Sequence, residues 1–257
     1  MNNFAQAVWV EMLKARRSRM PLLTALGFAL FPLGGGFFMI ILKDPELARR
    51  VGLISAKAQI TMGVADWPTY LEFLTLGTAM GGILLLSLIG SWVFGREYAD
   101  RTVKDLLALP TARSTIVLAK FVVIAGWSAT LSAMIFPLAL AVGTAVGLPP
   151  VPAQVILQGG VTLAITAILA IAVVTPIIFF ASAGHGYLPP VGVAILAVGL
   201  AQVFGIIGYG EYFPWAIPGV YAQVGSLGTI SYVIVLLTSV AGIAATLLWW
   251  ELADQTR

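Results

Sequence analysis

The sequence predicts an all-α membrane protein in which six transmembrane helices take up most of the 257 residues. Hydrophobic residues make up 60% of the chain and charged residues only 10%, against about 45–50% and about 25% in ordinary soluble domains. In addition, six apolar stretches come close to or exceed the roughly 20 residues that a helix needs to cross a bilayer. Little sequence remains for a soluble domain.

Residues 1–20 form the first predicted unit, an amphipathic helix in the membrane interface. Six apolar side chains recur there at helical spacing: Phe4, Ala5, Val8, Trp9, Met12 and Leu13. Polar residues such as Glu11 and Lys14 fall on the opposite face, and a basic cluster follows. This pattern is typical of a helix that lies on a membrane rather than crossing it. The alternative is a solvated basic tail.

Residues 21–257 form the second predicted unit, a six-span transmembrane domain. We expect the spans at about 22–42, 69–94, 116–146, 155–180, 191–207 and 229–250. Between the last two spans, residues 209–228 are too apolar for an ordinary loop and too rich in Pro and Gly for a straight helix. They predict a re-entrant or interfacial outer segment, which includes Glu211 and Trp215.

The distribution of Lys and Arg favours one orientation in the membrane. With the amino terminus inside, the inner segments hold ten of these residues and the outer segments hold four. Positive residues accumulate in cytoplasmic loops, so we expect both termini in the cytoplasm. The densely charged stretch 94–114, between spans two and three, then also lies on the cytoplasmic side.

The sequence offers no motif for catalysis, metal binding or cofactor binding. It contains no Cys, no HExxH zinc helix and no glycine-rich phosphate loop. Its net charge of +3 does not indicate nucleic acid, because the basic residues flank apolar spans. Glu72 and Glu211 fall near the outer side, whereas an ion-driven carrier usually keeps carboxylates at mid-membrane.

Polar residues inside the spans are candidates for a transport route. They are hydroxyls and amides: Ser128, Ser132, Gln158, Thr162 and Gln202. Such a surface suits a lipophilic or amphipathic cargo better than a small ion. The alternative is that they form ordinary hydrogen bonds between helices.

The stretch 94–114 is the longest densely charged run in the chain. Opposite charges stand four residues apart at Arg96/Asp100, Glu97/Arg101, Asp100/Lys104 and Arg101/Asp105. This spacing stabilises helices. We therefore expect span two either to continue as a helix or to break near Asp100 and restart.

A short amphipathic helix is expected within this stretch. Thr102 followed by Asp105 resembles a capping box with Asp in place of Glu. Val103, Leu106 and Leu107 then form an apolar ridge that could enter a groove on a soluble partner. The alternative is a charged loop that only sets topology.

At these residues the sequence resembles the ABC-2 family of ATP-binding-cassette transporter permeases, in particular the six-span subunits of bacitracin- and lantibiotic-resistance exporters. The matching residues are Glu97-Tyr98-Ala99-Asp100-Arg101-Thr102, Leu106-Leu107-Ala108-Leu109-Pro110, Arg113 and Ala119-Lys120. They follow a family pattern of a Glu, a Thr five residues later, a Leu pair, a Pro, a basic residue and a Lys at the start of span three. The family often has Gly before the Thr, and Arg101 takes that place here.

The resemblance implies a multi-pass permease of the cytoplasmic membrane that exports an amphipathic or lipophilic compound, such as a peptide antibiotic, a drug or a lipid-like molecule. It implies a homodimer among membrane lipids, with two copies of a separately encoded ATPase that binds ATP and Mg. The loop after span two would carry a coupling helix that docks on the ATPase. The residues implied in this coupling are Glu97, Arg101, Thr102, Val103, Leu106, Leu107, Pro110, Arg113 and Lys120.

Two other functions stay open at the level of the sequence. One is a secondary transporter driven by an ion gradient. The other is a membrane-embedded enzyme acting on lipids, with His185, the only histidine, or Glu211 as its chemical group.

Overall fold

The computed structural model describes residues 3–44, 64–108 (Leu107 by its backbone alone) and 110–252. Most of the predicted polar connection 43–67 lies outside these residues, as does Leu109. The nine α-helices within the described residues are α1 (Asn3–Arg16), α2 (Met20–Lys43), α3 (Trp67–Ala99), α4 (Val103–Leu107), α5 (Arg113–Ala145), α6 (Ala153–Ala183), α7 (Leu188–Ile206), α8 (Ile217–Val224) and α9 (Thr229–Leu252). A short 3-10 helix, Gly210–Tyr212, precedes α8.

Six of these helices are long and apolar enough to cross a membrane, namely α2, α3, α5, α6, α7 and α9. The predicted all-α, six-span fold is confirmed. Helices α3 and α5 each have 33 residues and are therefore about 50 Å long. The hydrocarbon core of a bilayer is only about 30 Å thick. Both helices are thus longer than the hydrocarbon core is thick. The connection between them contains α4.

Helices α3 and α6 form the centre of the bundle and pack most extensively on each other. Their shared core contains fully buried aliphatic residues such as Leu74, Ile89, Val173 and Ile177. Helix α9 packs on α6, α7 packs on α3 and α6, and α2 packs on α3 and α5. The outer helices expose apolar side chains such as Leu30 of α2, which suits a helix surrounded by lipid.

The bundle has two chemically different ends. Helix α1, helix α4, the α6–α7 connection and the end of α9 come together at one end, which we call the charged end. The 3-10 helix and α8 lie at the other end.

Residues 209–228 fold back against the bundle at the end opposite the charged end. Helix α8 packs on α3 and α6. Trp215 Nε1 donates a hydrogen bond of 2.8 Å to the Val173 carbonyl of α6, whereas Glu211 is exposed. The broken sequence is thus accommodated by two short helices anchored through Trp215.

Candidate functional site

Four charged side chains form a closed ring at the charged end, and we call Glu11, Lys14, Glu97 and Lys120 the charged ring. Lys14 Nζ lies 2.8 Å from Glu11 Oε1 and 2.8 Å from Glu97 Oε1. Lys120 Nζ lies 3.1 Å from the same Glu97 oxygen and 3.0 Å from Glu11 Oε2. Charges alternate around the ring, so its net charge is zero. It joins α1, α3 and α5.

Three of the four members of the charged ring are buried. Lys120 is 0% exposed, Glu97 4% and Glu11 6%. Lys120 Nζ also donates to the Val93 carbonyl at 3.0 Å, so each of these buried charges has more than one partner. Isolated charges are costly to bury, and a neutral, fully hydrogen-bonded set is the arrangement that makes burial tolerable. Losing one member leaves an uncompensated charge.

Lys14 is the most accessible member of the ring and lies on α1. Burial alone would lower the pKa of its ammonium group. The carboxylates of Glu11 and Glu97 outweigh this effect and hold the pKa of Lys14 above its ordinary value of 10.5. The ammonium form, which the ring requires, is therefore favoured.

Helix α3 ends just beyond Glu97 in a tight hydrogen-bonded turn. Arg101 N–H donates to the Tyr98 carbonyl and Thr102 N–H to the Glu97 carbonyl, at 3.2 and 2.9 Å. These two bonds define a Schellman motif, whose turning residue adopts the left-handed conformation that favours glycine. Arg101 occupies this position with φ of 58°. Arg101, at the position where the family often has Gly, therefore has a backbone conformation that favours glycine.

Thr102 connects this turn to the charged ring. Its Oγ1 donates to Glu97 Oε2 at 2.6 Å. The predicted capping box with Asp105 is wrong, because no side-chain cap forms at the start of α4. The Thr102 hydroxyl instead donates to the carboxylate of Glu97, five residues earlier, because the Schellman turn brings the two side chains together.

The break after α3 also determines which of the predicted ion pairs form. Among the described residues, Arg96 and Asp100 form their pair, with Arg96 Nε 3.1 Å from Asp100 Oδ2. Glu97 turns inward to Lys14 and Lys120 rather than to Arg101. Span two therefore breaks at Asp100 and restarts at Val103, the second of the two expected outcomes.

Two residues of the apolar ridge of α4, Val103 and Leu106, are turned at least partly toward the protein. Val103 is buried, and Leu106 is half-buried beside a cavity of about 190 Å³ that is also lined by Val10, Glu11 and Ile116. The side chain of Leu107 lies outside the description. The structure differs here from the interpretation that these residues project outward, because Val103 is buried and Leu106 lies beside residues of α1 and of the start of α5. The exposed residues of α4 and its end are Lys104, Asp105 and Ala108.

The carboxyl end of α9 is tied to the start of α5 through Arg113. Arg113 Nη1 donates to the Trp250 carbonyl at 3.0 Å, a favourable place for a cation at a helix end. The Trp250 side chain is 0% exposed, and its Nε1 donates to Ser182 Oγ at 2.9 Å. Its ring meets Phe94 edge-on, with centroids 6.2 Å apart. Pro110, by contrast, is exposed.

Glu11, Lys14 and Trp250 are members of this site that the sequence reasoning missed. Glu11 and Lys14 stand three residues apart, and that spacing could have indicated a pair on one helix face. The pattern could not show that this face is buried. Nothing in the sequence distinguishes Trp250 from its neighbour Trp249.

The predicted route residues lie on three helices, α5, α6 and α7. Ser132 lines a largely apolar groove of about 450 Å³ between α5 and α6, and the other four residues do not. Ser128 and Ser132 have buried hydroxyls without a hydrogen-bond partner among the described residues. Thr162 Oγ1 donates to the Gln158 carbonyl one turn earlier. Gln202 of α7 donates to Met80 Sδ of α3.

The two groups considered for lipid chemistry are far apart. His185 lies in the α6–α7 connection at the charged end, where its ring packs edge-on against Tyr98 with centroids 4.9 Å apart. Glu211 follows α7 at the other end of the bundle. The 19 residues of α7 span roughly 28 Å, so the two groups cannot form one site.

Comparison with known proteins relates this architecture to a transporter family. The sequence model described as ABC-2 family transporter protein matches residues 7–202, which include the charged ring, α4 and the helices up to α7. The bacitracin transport permease protein BCRB of Bacillus licheniformis is 29% identical over 182 residues, covering 67% of this chain and 85% of that protein. The resemblance seen in the sequence is confirmed. The chain belongs to the ABC-2 family of transporter proteins.

Proposed function

We propose that this chain is the membrane-spanning permease subunit of an ATP-driven exporter. It would pair with a second copy of itself and with two copies of a separate ABC ATPase that binds ATP and Mg. The observation that carries the proposal is the charged ring, which fastens the α3–α4 turn to α1 and α5. A helix-loop unit fixed in this way can transmit a push rather than absorb it.

The connections around α4 suggest how force would travel. Displacement of α4 acts through Thr102 on Glu97 at the end of α3, with atoms 2.6 Å apart. Glu97 shares its charge with Lys120 of α5 and Lys14 of α1. Helices α1, α3 and α5 would therefore tilt together. The ATPase would meet the exposed residues Lys104, Asp105 and Ala108, while Val103 and Leu106 hold α4 on the permease.

The proposed cargo is an amphipathic or lipophilic compound moved outward across the cytoplasmic membrane. The related permease is described as transporting bacitracin, which favours a peptide antibiotic as the class to test first. The apolar groove between α5 and α6 is consistent with such a cargo, since Ser132 has the only polar side chain among its described lining residues.

The proposed orientation has the charged end in the cytoplasm. Because the sequence has no Cys, single cysteines can report sidedness without a background. A cysteine replacing the exposed Asp105 should react with a membrane-impermeant maleimide only in inside-out vesicles, and one replacing Gln223 only in right-side-out vesicles. Labelling of Asp105→Cys from outside intact cells would refute the orientation.

Docking of the ATPase can be tested by a substitution that adds charge and bulk at the exposed end of α4. Ala108→Arg should reduce co-purification of the ATPase and abolish cargo-stimulated ATP hydrolysis, because a small exposed side chain is replaced by a long charged one. Gln223→Arg adds the same charge to an exposed residue at the other end of the bundle and should leave both unchanged. Full ATPase capture by Ala108→Arg would contradict docking at α4.

A protonophore separates the proposal from an ion-driven carrier. In vesicles supplied with ATP, export should persist when the proton gradient is collapsed and stop when ATP is removed. Export that follows the gradient instead would favour the secondary transporter.

A further inference from the structure

A second feature of the charged end is a cavity of about 470 Å³ between α1 and the end of α3, which we call the α1–α3 cavity. Its walls come from α1 and the turn after it, from the last turns of α3, and from the α6–α7 connection. The lining residues that matter here are Arg17, Trp92, Arg96, Asp100 and Tyr187. Neither the coupling mechanism nor the transport route uses it.

The cavity carries an excess of positive charge. Lys14, Arg17 and Arg96 line it, against one acidic residue, Asp100. Lys14 is committed to the charged ring. Arg96 pairs with Asp100 through Nε, at 3.1 Å from Oδ2. Arg17 is exposed and has no carboxylate partner in the part of the chain that the structure describes.

Two guanidinium groups facing one cavity suit a group with several anionic oxygens, such as a phosphate ester, because the flat guanidinium fork donates two parallel hydrogen bonds. The cavity is also lined by Trp92 and Tyr187. Trp and Tyr favour the headgroup level of a bilayer. The guanidinium of Arg96 lies over the Trp92 ring, 5.2 Å from its centroid, which holds the cation at that level.

The surface beside the cavity distinguishes a lipid from a soluble anion. Leu88, Trp92 and Arg96 are four residues apart and therefore lie along one face of α3. Leu88 is 40% exposed, and Trp92 and Arg96 are half-buried. Over about 12 Å the helix presents an apolar, then an interfacial, then a cationic side chain. That order matches an acyl chain, a glycerol region and a phosphate.

We propose that the α1–α3 cavity binds the phosphodiester headgroup of an anionic membrane lipid, with its acyl chain along Trp92 and Leu88. The lipid lies in the same leaflet as α1 and bridges α1 to the end of α3 beside the charged ring. The proposal does not depend on an ATPase or on the identity of the cargo.

The test is lipid binding to the purified, delipidated full-length protein, measured by native mass spectrometry. Phosphatidylglycerol and phosphatidylcholine with identical acyl chains are the two probes. Phosphatidylglycerol should bind in preference, and Arg17→Gln should weaken its binding about fivefold, as should Arg96→Gln. Arg19→Gln removes the same charge from an exposed residue outside the cavity lining and should have no effect.

Arg17→Gln is the decisive variant because Arg17 has no ion pair among the described residues whose loss could disturb folding, and Arg17→Lys should restore most of the binding. Equal binding of the two lipids would overturn the proposal, and so would unchanged phosphatidylglycerol binding by both Gln variants. Competition with inorganic phosphate tests whether the site instead binds a soluble anion. If it displaces the lipid at equal concentration, and Leu88→Gln has no effect, the site is for a soluble anion and the lipid assignment is wrong.

Discussion

Lys120 is the sharpest test of the charged ring, because it is the one member with no exposed surface. Lys120→Met keeps the length of the side chain but leaves Glu11 and Glu97 facing a single cation, Lys14. A buried net charge of −1 results, and the Val93 carbonyl loses the hydrogen bond from Lys120 Nζ. Breaking a buried ion pair in this way should lower the free energy of unfolding by about 3–5 kcal/mol.

A double substitution separates charge balance from simple loss of packing. Glu97→Gln alone leaves a net charge of +1 and should carry a similar cost. In Lys120→Met/Glu97→Gln the remaining Glu11–Lys14 pair is neutral, so the double variant should be more stable than the sum of the two losses implies, by about 1–3 kcal/mol.

The assay is equilibrium unfolding of the purified protein by SDS in mixed micelles, followed by circular dichroism. Lys104→Met removes the same charge from an exposed residue of α4 and should change the unfolding free energy by no more than about 0.5 kcal/mol. Strictly additive losses, or a loss below about 1 kcal/mol for Lys120→Met, would refute the reasoning.

Three further predictions address the backbone, the packing and the pH dependence. Arg101→Gly should raise the unfolding free energy by up to about 1 kcal/mol, because glycine adopts the left-handed conformation without strain; destabilisation in the same assay would contradict the Schellman turn. Gly242→Ala should cost about 1–3 kcal/mol, since a methyl group there would overlap the backbone at Pro176, whereas Gly199→Ala, which has open space, should not. Because the folded pKa of Lys14 is raised, its contribution is complete below pH 10.5 and is lost as pH rises through the higher folded value. Melting temperatures of wild type and Lys14→Met should therefore converge above pH 10.5, and a constant difference would speak against this.

The fold could be predicted largely from local properties of the sequence. Length and hydropathy identify membrane-spanning helices because lipid forces each span to satisfy its own backbone hydrogen bonds, whatever its neighbours. A break near Asp100 followed by a restart was one of the two outcomes expected for the charged stretch, and the helix-favouring charge spacing could not decide between them. The broken segment around Trp215 was recognised by its Pro and Gly content.

The candidate site was predictable only in part. The sequence singled out Glu97, Thr102 and Lys120 through the family pattern, but it did not connect them with Glu11 and Lys14. Ion pairs between residues 23 to 109 positions apart have no periodic signal. The direction of the ridge on α4 was likewise hidden, because amphipathicity shows that Val103 and Leu106 share a face but not what covers that face.

The sequence by itself determined that this protein spans a membrane six times, that it has no Cys chemistry, and that one charged connection sets it apart from a plain bundle. These properties depend on composition and on neighbours within a few residues. Only the tertiary structure decided that Glu11, Lys14, Glu97 and Lys120 form one neutral ring, that Arg101 stands in a glycine-type turn, and that Arg113 holds the end of α9. Buried charges must find partners wherever the fold brings them, and that requirement is met across helices rather than along the chain.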